Sequence, residues 1–191
     1  MLTLAVMKMK RIAFIFLLLS AGNCLSQNSS EEQLLIETIL DRKAMDYSLP
    51  VILSKLDSAL VGYHLIFLLN SKDNIFYSTQ IGEGDSILLT DQEKHRLAEE
   101  LRAQYNQKWE EGDIENYSVI ASERMKSYLR EKYTNTVAMI SKPVFIRDGK
   151  IGMVFLANFC CGGSNGFVEL FLYKKDLGIW KSWIPISQGD F

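Results

Sequence analysis

The sequence predicts an α+β domain: an antiparallel β meander of about four strands at the C-terminus, with helices from the first half packed on one face. Three observations carry that expectation. Between residues 31 and 133, most apolar side chains recur at helical spacing behind capping residues. After Val137 the pattern changes to short apolar, aromatic-rich runs. Those runs are separated by Asp148-Gly149 and Leu177-Gly178, dipeptides that suit tight turns.

Taken in order, Ser30 can cap a helix with Gln33 reaching back to it, and Leu35, Ile36, Ile39, Leu40 and Ala44 then line one side from Glu31 to Met45. Pro50 suits the first turn of a second helix, with Ile52, Leu56, Ala59 and Leu60 as its inner stripe and Gly62 as its stop. YHLIFLL and NIFYSTQ then flank Asn70 to Asn74 as a hairpin with a polar loop. IGEGDS reads as loop. Thr90-Asp91-Gln92-Glu93 is a capping box that opens the longest helix, running to about Trp109. Ser122 caps a shorter helix carrying Met125, Leu129 and Tyr133. Val137 to Ile146 is one strand region. Ile151 to Phe159 is apolar on both sides and should be central. Phe167 to Tyr173 follows, and Ile179 to Ser187 closes the sheet at an edge, because Pro185 cannot donate to a ladder.

The N-terminus reads as a segment apart. Lys8, Lys10 and Arg11 precede the apolar run Ile12 to Leu19, and small and polar residues follow. That order is a secretory signal peptide, residues 1–26. A membrane span needs roughly 20 consecutive apolar residues, more than this run supplies. Cys24-Leu25-Ser26 before Gln27 fits a cleavage site; Gly22 offers another. Lipid attachment at Cys24 is the alternative, although Asn23 is not the small residue a lipobox places there. Residues 27–191 then form one domain. Removing residues 1–26 takes away three basic residues and no acidic one, moving the net charge from -2 to -5. Such a chain is poorly suited to nucleic acid, which needs clustered Lys and Arg. It does not read as a polybasic membrane binder either.

At the C-terminal end, Ser141-Lys142-Pro143-Val144-Phe145, a Cys-Gly-containing turn, Tyr173-Lys174-Lys175 and Gly178-Ile179-Trp180 form a pattern. It resembles a group of small exported or lipid-anchored bacterial proteins with no assigned function, over about the last quarter of the chain. The resemblance implies export and a β meander, and carries over no active site.

The residues that could carry chemistry are few. Cys160 and Cys161 stand together before Gly162, Gly163 and Gly166. They fit either a redox pair or nucleophile on a glycine turn, or two small packed hydrophobes beside an ordinary loop. A nucleophile would need a base, and only His64 and His95 are present. His95 and Glu99 lie one helical turn apart and fit a shared metal or a solvated pair. Glu83 with Asp85, and Glu110, Glu111 with Asp113, fit calcium by ligand type but not by spacing. No metal site and no cofactor are expected. Trp180, Trp183, Phe171, Tyr173 and Phe191 crowd the last strands; with helices on one face only, some of these rings would reach solvent and bind, and with both faces covered they would be buried.

The functional expectation is therefore an exported, non-catalytic protein of the bacterial cell envelope. It would bind a small apolar ligand or an envelope protein through the meander, with Tyr173, Trp180 and Trp183 as binding residues. A thiol-dependent enzyme or redox protein using Cys160 or Cys161 is the alternative. Association with a membrane is expected only if Cys24 carries lipid.

Overall fold

The computed structural model describes residues 31–42, 51–78, 85–163 and 165–190. The chain divides into two units, Met1–Leu34 and Leu35–Phe191. Residues 31–34 are helical, and the predicted signal peptide lies outside the described residues.

Helix α1 spans residues 31–42. Strand β1, Val51–Leu53, follows where the sequence suggested a second helix. Its residues Val51 and Ile52 are β-branched, and Ile52 is fully buried between two neighbouring strands. The helix starts later, as α2, Ser58–Leu69. Asp57 sets that start: its carboxylate accepts the N–H groups of Ala59 and Leu60 at 2.9 and 3.0 Å. YHLIFLL is therefore helix and not the first arm of a hairpin, and Gly62 lies inside the helix instead of ending it. Alternation failed as a guide here because α2 is apolar almost all round.

Strands β2, Ile75–Tyr77, and β3, Ser86–Leu88, pair antiparallel across the IGEGDS segment. The capping box behaves as the sequence indicates: Thr90 accepts from the Glu93 N–H at 3.1 Å, and Glu93 accepts from the Thr90 N–H at 2.9 Å. It opens α3, Asp91–Arg102, which passes into a 3-10 turn at Ala103–Asn106 and does not reach Trp109. Strand β4 is Val119–Ile120, and α4, Met125–Glu131, follows a 3-10 turn at Ser122–Arg124.

The region Val137 to Ile146 is two strands, β5, Val137–Ile140, and β6, Val144–Ile146, which lie end to end along the same neighbour. Pro143 lacks an N–H, and Lys142 turns its backbone to Gln104, which both donates to its carbonyl at 3.1 Å and accepts its N–H at 2.8 Å. Then come β7, Ile151–Cys160, β8, Asn165–Asp176, and β9, Ile179–Asp190. Arg147, Asp148 and Gly149 turn at φ +53°, +56° and +74°, and Leu177-Gly178 at +50° and +84°. The second pair has the positive φ at both positions that a two-residue hairpin turn needs.

The main sheet has seven strands in the order β4-β1-β5-β7-β8-β9, with β6 also on β7. It is mixed: β1 runs parallel to β4 and β5, while the C-terminal strands are antiparallel. β9 is an edge, and Pro185 sits beside a shift in its register with β8.

Helices cover both faces of this sheet, not one. Along β7, Met153, Phe155 and Ala157 join a core with α2, α3 and α4. Val154 and Leu156 point the other way, into a second core with Leu35, Ile36, Ile39 and Leu40 of α1 and with Trp109, Ile114 and Tyr117. The sequence hint was already present: Ile151 to Phe159 has no polar face to leave open.

Candidate functional site

An apolar cleft of about 680 Å³ opens where the N-terminal end of α2, the start of α4 and the sheet meet. Leu53, Leu56, Leu60, Met125, Met139 and Phe159 give it an apolar lining, and Lys55, Asp57 and Ser122 supply the polar groups. The local structure follows from Asp57. Its side chain caps α2 while its own N–H points at the Met139 sulfur, 3.2 Å away, which pins the helix start over β5. Met139 is buried, whereas Leu56, Leu60, Met125 and Phe159 are half-buried and keep faces turned to the cleft. Two flexible thioethers in the lining, Met125 of α4 and Met139 of β5, suit an adaptable apolar surface. A concave, mainly apolar site with a few polar groups at its edge is the usual form of a small-molecule pocket.

The cysteine pair lies at the end of β7, next to Phe159. Cys160 and Cys161 are not joined by a disulfide; their Sγ atoms lie 2.9 Å apart and both residues are half-buried. Cys161, Gly162 and Gly163 all have positive φ, at +58°, +73° and +87°. Burial, then the Cys161 thiol beside it, pushes the Cys160 thiol up to about 11. That is the reverse of an activated nucleophile, which needs a lowered pKa. A second, smaller cleft of about 250 Å³ is lined by Asn158, Cys160, Cys161, Asn165, Phe167 and Asp190.

The aromatic residues read as binding candidates do not form an exposed surface. Tyr173, Trp180 and Trp183 are only 5, 3 and 8% exposed, because helices cover both faces. They are also parted: Tyr173 and Trp180 lie in the α1 core, Trp183 in the other. Burial, with the nearby Glu169 charge, drives the Tyr173 phenol far above its ordinary range. Trp183 donates to Asp85 at 2.8 Å and carries the Lys174 ammonium over its ring.

The remaining candidates have structural occupations. His64 is buried on α2, with Nδ1 2.6 Å from the Ser187 hydroxyl, and burial lowers its pKa. His95 bonds the Asp91 carbonyl of its own helix at 2.7 Å. Asp85 accepts from Lys174 at 2.7 Å. Asp113 accepts the Glu110 N–H at 2.8 Å and Glu111 the Val119 N–H at 2.9 Å, so these carboxylates hold a loop. Glu83 lies outside the described residues. Among the described residues no three His, Cys, Asp or Glu side chains are grouped to hold a metal ion.

The cleft residues were missed as a set because Leu56, Ala59 and Leu60 were read, with Ile52, as one buried helical stripe. The usable signal was Asp57 immediately before Ser58: a capping residue there separates strand from helix and places a hollow between them. No family model, curated protein or solved structure matches the chain.

Proposed function

We propose that the chain is an exported, non-catalytic protein of the bacterial cell envelope that binds a small apolar ligand in the cleft between α2, α4 and the sheet. The cleft itself carries the reading: about 680 Å³ of mainly apolar lining, with Lys55, Asp57 and Ser122 as its polar residues. Export rests on the basic and apolar order of residues 1–26 and on the resemblance of the C-terminal quarter to small exported bacterial proteins. The antiparallel run from β6 to β9 serves as a meander that holds Phe159 and, through β5, Met139 in fixed positions.

A fluorescence titration with anilinonaphthalene sulfonate tests the site. A single saturable event is expected, and it should be lost in Met125→Arg. Should that variant fail to fold, Ser122→Trp fills the mouth from an exposed position and should have the same effect. Unchanged binding in folded variants would remove the proposal. A protein partner is the second reading. It is favoured by Tyr63, Ile66 and Phe67 on the outer side of α2 and by Tyr77 and Leu88 on the β2–β3 hairpin, all exposed.

A further inference from the structure

We propose that Cys160 and Cys161 close reversibly into a vicinal disulfide by exchange with a low-molecular-weight disulfide, and that closure weakens ligand binding in the apolar cleft. The second half of the proposal rests on the ligand reading of that cleft; the first half stands apart from it.

Three observations converge on the pair. The thiols are already in contact, at 2.9 Å, and both are accessible enough to meet a small reagent, since they line the 250 Å³ cleft. The turn that follows, Cys161–Gly163, is built from positive-φ positions, two of them glycines, so its backbone has freedom to adjust. The pair is also joined to the larger cleft through the residues on either side of it in sequence. Phe159, one residue before Cys160, lines it directly. Gly163, at the far side of the turn, packs toward Leu129 of α4, the helix whose first residue, Met125, lines it as well.

The exchange balances with a disulfide R–S–S–R as oxidant. The Cys161 thiol loses its proton and attacks one sulfur, releasing R–SH and leaving a mixed disulfide. The Cys160 thiol then loses its proton and attacks the Cys161 sulfur, releasing the second R–SH. Two thiols are oxidised to one disulfide and one disulfide is reduced to two thiols. Neighbouring α-carbons are about 3.8 Å apart across a trans peptide, short of the usual disulfide span of about 4.4–6.8 Å, so the closed ring is strained and readily reduced. Strained, accessible disulfides are the labile and regulatory kind. Ring closure must change the Cys160–Cys161 backbone. The turn packed against α4 belongs to the dithiol, so the dithiol is the form with the cleft walls described above.

The experiment incubates the chain from Gln27 onward with oxidised glutathione and follows intact mass, then titrates reduced and oxidised samples with anilinonaphthalene sulfonate. The expected mass change is a loss of two hydrogen atoms, reversed by a monothiol and absent in Cys160→Ser and Cys161→Ser. The expected affinity of the oxidised form is about fivefold weaker. Failure of the ring to form, or glutathione retained as a stable mixed disulfide, overturns the switch and leaves the ligand reading intact. A ring that forms while binding stays equal in both states overturns the coupling. Absence of binding in both states overturns the ligand reading, and with it the coupling, while the exchange site stands.

Discussion

His64 shows how one residue's surroundings translate into behaviour. It faces Ser187 and Phe155 in the interior, with the exposed Phe67 ring at its outer side. Burial favours its neutral form and holds its pKa below the ordinary 6.5. The unfolded chain therefore takes up a proton before the folded one does. Stability is complete above 6.5 and falls as pH drops below that value toward the lowered folded pKa. Urea midpoints measured across that window should decline in the parent and decline less in His64→Gln; identical slopes would mean the imidazole is not held neutral. From sequence His64 reads as a hydrogen-bonded histidine on a strand; the hydrogen bond is present, but the residue lies on α2. The sequence could not show that the partner is Ser187, because that contact joins residues 123 positions apart. For the thiols, adjacency and the glycines that follow marked the pair and its turn, whereas the approach of that turn to α4 was invisible without the fold.

At the scale of elements, caps carried more information than periodicity. Thr90 with Glu93 located the start of α3 from sequence, and the same Glu93 accepts from Arg147 at 2.8 Å, tying α3 to the β6–β7 turn. The Arg147 guanidinium, first among several donors, lowers the Glu93 carboxyl below its ordinary 4.5. Stability from this link is present above 4.5 and is lost as pH falls through the lowered value. Glu93→Gln should cost about 1 kcal/mol at neutral pH and flatten the acid limb of the stability curve. A loss that is equal at all pH values would point to the cap alone. For α2, the decisive cap, Asp57, was overlooked in favour of Pro50, and the helix was set several residues early. Asp57→Ala should lower stability by about 1 kcal/mol in thermal melts and weaken probe binding, since it frees the helix end that roofs the cleft. Stability lost with binding retained would detach the cap from the site.

At the scale of the molecule, the α+β class was legible, and so were the central position of β7 and the edge position of β9. The two-sided covering was hinted at by the apolar run Ile151 to Phe159, but the segments that supply it were not legible. The covering depends on β1 joining the sheet in parallel and on α1 packing opposite to α2 and α3, pairings between distant segments that no local pattern encodes. Gly152 records the result. A Cβ there would lie 2.6 Å from the Leu35 side chain and 3.1 Å from the Phe145 ring. Gly152→Ala should therefore destabilise by about 1–3 kcal/mol, because both neighbours belong to a packed core. A neutral effect in denaturant titrations would mean that α1 does not press on this face. With both faces covered, the cleft lies where α2 and α4 leave a gap beside the sheet.

Methionine methyl NMR reads that gap directly. Met125 and Met139 line the cleft, and Met153 lies in the same core outside its lining. On titration with anilinonaphthalene sulfonate, the Met125 and Met139 ε-methyl signals should shift together and saturate, with Met153 nearly still. Saturable binding that leaves both lining methyls unmoved would contradict the assignment of the cleft.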